Sequence, residues 1–189
     1  YSYIWSTGET TDAISGLIAG DYYLTITDNH ACIDFDNITI SEPNSQFSVS
    51  LTGTNVDCYS NSTGSVSSTV SGGWQNASYA YQWSNGETSA NISNLPAGNY
   101  SVTAISTTAA TCSATENITI SEPNLLLIDN FSLTSILCFD ENTGAIDIEI
   151  IGGSTPYSYL WSSSETSEDL SNLFAGDYTV TITDNQACQ

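Results

Sequence analysis

The sequence predicts an all-β chain of tandem two-layered repeats, and three observations carry that prediction. The first is a returning motif. Tyr1-Ser2-Tyr3-Ile4-Trp5-Ser6 comes back as Tyr79-Ala80-Tyr81-Gln82-Trp83-Ser84 and as Tyr157-Ser158-Tyr159-Leu160-Trp161-Ser162, with the tryptophans 78 residues apart each time. The second is period-two alternation, the mark of a half-buried strand. The third is that no stretch of the 189 residues carries helical periodicity.

The elements follow from residue order. In the last unit, Ile146, Ile148 and Ile150 alternate with Asp147 and Glu149. The segment 157–161 alternates two tyrosines and a tryptophan, and 177–183 sets Tyr178, Val180 and Ile182 against threonines. Asn117-Ile118-Thr119-Ile120 supplies the last strand of the middle unit. Gly-Gly, Asn-Gly and Ala-Gly-Asp/Asn punctuate these runs, as turns require. "NITISEPN" stands at Asn37–Asn44 and again at Asn117–Asn124, a step of 80. A period this long marks an array of modules, each large enough to bury its own core. The pattern predicts immunoglobulin-like β-sandwich repeats of 78–80 residues. Residues 1–43 would be the C-terminal part of a truncated repeat, 44–123 a complete one, and 124–189 one lacking its last strand. The opening residues match the middle of the later units, so a piece of a longer array is expected, with any targeting signal or anchor outside it.

Leu-x-Ala-Gly-x-Tyr before an alternating strand has the form of a tyrosine corner, in which the hydroxyl swings back to the backbone. That assigns Tyr22, Tyr100 and Tyr178 to the core edge, with Gly20, Gly98 and Gly176 in turn conformations that a Cβ resists. Trp5, Trp83 and Trp161, alternating inside strands, become the central core plugs rather than a sugar-stacking row.

Charge narrows the function classes. The chain has no Lys or Arg against 21 acidic residues, a formal net charge of −21. Phosphate backbones and anionic membrane surfaces are bound through cationic side chains, so neither is an expected partner. No apolar run reaches the ~18–20 residues needed to span a bilayer.

Five cysteines, at 32, 58, 112, 138 and 188, recur with the repeat. Their regular spacing argues for disulfides and an oxidising compartment. Within-repeat bonds would join Cys58 to Cys112 and Cys138 to Cys188, leaving Cys32 with a partner outside the chain. Bonds across a junction would join Cys32 to Cys58 and Cys112 to Cys138. Four strands fit between Cys58 and Cys112, and four reversals return a chain to its starting pole, within reach of a disulfide. That count favours the within-repeat pairs, each contributing roughly 3–4 kcal/mol by loop entropy.

The third unit shows an ordered set of residues: Cys138, Gly144, Gly152, Gly153, Pro156, Tyr157, Tyr159, Trp161, Leu173, Ala175, Gly176, Tyr178, Val180, Ile182, Thr183, Asp184 and Cys188. With the closing Ile-Thr-Ile-Ser-Glu-Pro of the earlier units, this resembles the SprB-type repeat of large surface adhesins from gliding Bacteroidota. The middle unit departs at "GGWQNASYAY" and "STTAATC", and the third lacks the Asn-Gly turn at "WSSSE". The resemblance implies a filament on the bacterial outer-membrane surface, exported by the type IX route and gripping a substratum or polysaccharide. Its partners would be neighbouring repeats and the secretion and gliding machinery.

Catalysis finds little material. The single histidine, His30, lies in a turn where the third unit has Gln186, and no lysine exists to activate a serine. Asp34/Asp36 and Asp140/Glu141 read as carboxylates in solvated turns, so the chain is expected not to be an enzyme. No cofactor is expected. Calcium is the one candidate ion, because hard oxygen ligands abound without competing cations. Asp28 and Asp184, in equivalent turns, are its candidate ligands; Glu9, Glu87, Glu165, Glu42 and Glu122 also recur. Asn-x-Ser/Thr triplets at Asn37, Asn61, Asn76 and Asn117 are assigned no role. Three function readings follow: the shaft of a cell-surface adhesin, an array of carbohydrate-binding modules with Trp74 and Tyr59 as candidate sugar-contacting residues, or a passive stalk.

Overall fold

Alternating residues become strands wherever one face can be buried, and this chain uses them throughout. The computed structural model describes residues 1–74, 77–107 and 112–189, and its regular structure there consists of β-strands. Asn76 and most of the "STTAATC" segment lie outside the described residues.

The first unit is one antiparallel sheet of β1 (Ser2–Trp5), β2 (Gly20–Thr27) and β3 (Ile33–Ile40), in that order. The second unit has two layers. One sheet runs β4 (Ser48–Thr54), β5 (Gly64–Ser71), β7 (Asn91–Leu95), and the other β6 (Tyr79–Trp83), β8 (Gly98–Ser106), β9 (Ser113–Ile120). The third repeats the plan with β10 (Leu127–Thr134), β11 (Gly144–Ile151) and β13 (Leu170–Leu173) facing β12 (Ser158–Trp161) and β14 (Val180–Thr183). The fold class is therefore all-β, in β-sandwich repeats.

The period-two pattern places the cores. Along β8, Tyr100, Val102 and Ala104 are buried, facing Val66, Ile92 and Leu95 of the opposite sheet around Trp83. In the third unit Ile148, Leu170 and Leu173 surround Trp161. The Nε1 of each of the three repeating tryptophans donates to the carbonyl six residues on: Trp5 to Thr11 at 3.0 Å, Trp83 to Ser89 at 2.8 Å, Trp161 to Ser167 at 2.9 Å. That bond satisfies the indole N–H as its ring is removed from water. Trp5 departs from the core expectation. It is only half-buried, because no second sheet faces β1–β3 among the described residues.

The tyrosine hydroxyls of all three units turn back four residues. Tyr22 donates to the Ile18 carbonyl at 2.9 Å, Tyr100 to Pro96 at 2.9 Å and Tyr178 to Phe174 at 3.1 Å. The glycine two residues earlier is less constrained than the sequence predicts. Only Gly20 has a positive φ, of 155°, while a Cβ on Gly98 or Gly176 would meet the tyrosine ring at an ordinary 3.8 Å. The demanding glycines are Gly72 and Gly152, both at φ +75°, where a Cβ would fall 1.8 Å from the Gln46 carbonyl oxygen and 1.9 Å from that of Leu125. These hairpins sit directly on the chain as it enters the second and third units.

Two poles can now be defined. The proximal pole, where the chain enters, carries the Gly72–Gly73 hairpin and the Ser106 N–H, which donates to the Cys112 carbonyl at 3.0 Å. The distal pole carries the loop from Asn55 to Thr63 and the end of β9, where Val56 N–H donates to Ser121 O at 2.9 Å. Strand direction links them. β6 starts at the proximal pole, with Tyr79 opposite Ser106, and reaches Trp83 opposite Val102, midway along β8. β7 then begins opposite Ser67, midway along β5, and ends at Leu95 opposite Gly64, at the distal pole. β6 and β7 are one traverse that changes sheets without reversing.

Candidate functional site at the repeat junction

That traverse decides where the cysteines lie. From Cys58 the chain goes down β5, up through β6 and β7 together, and down β8. Three traverses, not four, separate Cys58 from Cys112, so the two stand at opposite poles. The structure accordingly joins neither within-repeat pair, nor Cys32 to Cys58, nor Cys112 to Cys138. Its disulfide links Cys58 to Cys188, with Cα atoms 5.6 Å apart and a sequence separation of 130. Cys32, Cys112 and Cys138 are free thiols. The bond runs from the distal pole of the second unit to the proximal pole of the third, across the joint.

Each half of the joint is built by a carboxylate closing a turn. On the distal side, Asp57 Oδ1 accepts the Thr63 hydroxyl at 2.6 Å, the Cys58 N–H at 2.7 Å and the Asn61 side-chain amide at 3.3 Å. The Thr63 hydroxyl leads these in holding the carboxyl below its usual range, against some desolvation. Ser60, at φ 60°, donates its N–H to Glu122 Oε2 at 2.6 Å, tying the cysteine loop to the linker. On the proximal side, Asp184 is buried. Its Oδ1 accepts the N–H groups of Gln186 at 2.8 Å and Cys188 at 2.9 Å, and its Oδ2 that of Ser154 at 2.7 Å. Burial pushes this carboxyl up, but the three N–H donors outweigh it and hold it below the ordinary value. The Asp57 charge, from the other repeat, works against them. Cys188 Sγ lies 3.4 Å from the Asp57 carbonyl oxygen.

The other singled-out residues separate around this joint. Asp28 repeats the Asp184 turn, its Oδ1 accepting from His30 and Cys32 N–H at 2.8 Å each. Both calcium candidates thus spend carboxylate oxygens on backbone donors, and no group of three or more His, Cys, Asp and Glu is arranged to hold a metal among the described residues. His30 is exposed in that turn. Asp34 and Asp36 lie on strand β3 rather than in a turn, and both are exposed. Tyr59 and Trp74 do not share a face. Tyr59 lines a groove at the distal joint with Pro123, Leu125 and Gly153, while Trp74 lines one at the proximal joint with Glu42, Pro43 and Tyr79. They sit at opposite ends of one sandwich, so they form no common sugar platform.

Sequence reasoning missed the joint itself. The available signal was that the residue after the early cysteine is aromatic in both complete cysteine loops, Tyr59 after Cys58 and Phe139 after Cys138, although neither belongs to a core cluster.

A family model described as SprB repeat matches residues 50–88 and 130–166. The matches start in β4 and β10 and run through the tryptophan turns of the two sandwiches. No curated protein matches the chain. Repeats of this family occur in cell-surface proteins, which gives this repeat region an extracellular or cell-surface setting.

Proposed function

The chain carries SprB repeats, and from that premise we propose that it is a load-bearing shaft segment of a bacterial surface adhesin filament. It acts by projection and tension rather than by catalysis or cofactor chemistry. The observation that carries this reading is the Cys58–Cys188 bond, which crosses from one sandwich to the next. A bond inside each module would protect modules singly; one that spans the joint makes two modules a single mechanical element. With no Lys or Arg in the chain, no side-chain ion pair can brace the joint, so the covalent link bears that role. Multiple repeats also multiply weak contacts with a substratum or polysaccharide. Gliding-type adhesion and type IX export belong to this reading through the family resemblance alone.

The test is immunolabelling of intact producing cells with monovalent antibody fragments raised against the chain. Labelling along projecting fibres, with loss of surface attachment, is the expected result. Labelling that needs permeabilised cells would sink the proposal. A deletion of these repeats that shortens the fibre yet leaves attachment intact would instead establish the passive stalk.

A further inference from the structure

The distal pole of the third repeat carries the same cysteine loop as the pole that the third repeat covers on the second, with Leu137 where the second has the turn-closing Asp57. Cys138 corresponds to Cys58, Phe139 to Tyr59, and Asp140, at φ 58°, to Ser60 at φ 60°. In both loops the N–H three residues after the cysteine donates back to the cysteine carbonyl, Asn61 at 3.0 Å and Glu141 at 3.4 Å. The other difference is coverage. Tyr59, at the joint, is 47% exposed, whereas Leu137 is 88% and Phe139 94% exposed. Phe174 lies against them and is 59% exposed. Two large apolar side chains almost wholly in water beside a free thiol make an apolar patch of the kind that marks an interaction surface.

We propose that this pole is a docking half-site for the proximal pole of the following SprB repeat of the same polypeptide, sealed by a disulfide from Cys138 to that repeat's late cysteine. The occupant is argued from the joint already formed: the equivalent pole of the second repeat holds the proximal pole of the third, with its late cysteine bonded. The same rule makes Cys112 and Cys32 the complementary proximal half-sites, each taking the early cysteine of the repeat before it. Bond formation removes two protons and two electrons from the two thiols. A protein or small-molecule disulfide accepts them by thiol–disulfide exchange and leaves as two thiols. The inference rests on the array reading of the previous subsection, but it concerns connectivity and not adhesion. Its failure is therefore seen separately.

The test is a disulfide map of the intact surface protein, thiol-blocked on harvest and cut with an acidic-residue-specific protease, since the chain offers trypsin no site. Cys138 is expected in a peptide bonded to the late-cysteine turn of another repeat. In the 189-residue chain alone it should react quantitatively with an alkylating reagent. Non-reducing electrophoresis of the intact protein should give a single-chain size; a ladder of multiples that collapses on reduction would place the partner in a second copy and overturn the proposal. Recovery of Cys138 alkylated from the intact protein, or bonded to Cys188 or Cys112, overturns the proposal. In the isolated chain, Cys188→Ser should leave Cys58 free, and capture of Cys58 by Cys112 in that variant would equally overturn it.

Discussion

Ser164 occupies a position where the other two units have glycine. The turn after each tryptophan is closed by the N–H of Gly8, Gly86 or Ser164 donating to the Trp5, Trp83 or Trp161 carbonyl, at 2.9, 3.0 and 2.9 Å. The φ values are 98°, 90° and 77°. A left-handed conformation costs a residue with a Cβ about 1 kcal/mol or more, and glycine almost nothing. The third unit thus keeps the turn geometry while carrying local strain that the first two avoid. Ser164→Gly should stabilise the third sandwich by about 0.5–1 kcal/mol, since part of the relief is offset by the freer unfolded chain. Urea unfolding followed by Trp161 fluorescence measures it, and an unchanged or lower midpoint would refute the strain argument. The missing Asn-Gly was visible in the sequence; that the turn persists without it was not, because the tryptophan-to-Glu165 carbonyl bond of 3.0 Å holds its other side.

At the scale of elements, strands, tryptophans and corner tyrosines were legible because their signals are local: alternation, and a motif written three times. The disulfide was not legible, and the reason is physical. Asn85-Gly86 between two alternating runs is an ordinary sign of a hairpin reversal, yet here it only folds the chain under Trp83 before β7 continues in the same direction on the other sheet. One reversal fewer moves a cysteine the length of the sandwich. The Asp184 turn, the proximal half of the joint, has its own consequence. Its carboxyl sits below the ordinary value in the folded state, so the unfolded chain takes up the proton first as pH falls. The stability it supplies is present above the ordinary carboxylate value of about 4 and is lost as pH falls through the lower folded value. The unfolding midpoint of the third sandwich should fall across that window, and Asp184→Asn should flatten the fall while lowering the midpoint at neutral pH. The second unit has Ser106 at that place and lacks this contribution. A variant whose pH slope matches the parent's would show that the three N–H donors do not set this carboxyl's titration.

For the whole molecule, the position of the bond determines which residues feel a pull. Tension entering through the first unit reaches Cys58, crosses to Cys188, and bypasses everything between them, a loop with a sequence separation of 130. Strands β5 to β14 lie inside that loop, so the third sandwich and nearly all of the second are shielded. Within-repeat bonds would behave differently. They would shield two segments of roughly 50 residues, as loop lengths of that order require, and leave the linker at Pro123 to carry the load. Stretching the 189-residue chain from its ends with a force probe separates these cases. Oxidised, it should extend only by the residues outside the loop. After reduction, the fully unfolded length should grow by roughly 450 Å, at about 3.5 Å per extended residue. Growth in two steps of roughly 170 Å each, the length of about 50 extended residues, would instead place the bonds inside the repeats. No growth would mean that the thiols are unbonded in solution. The spanning arrangement protects most where refolding is slowest, because the sandwiches, being all-β and rich in non-local pairings, are the parts the bond keeps from unfolding.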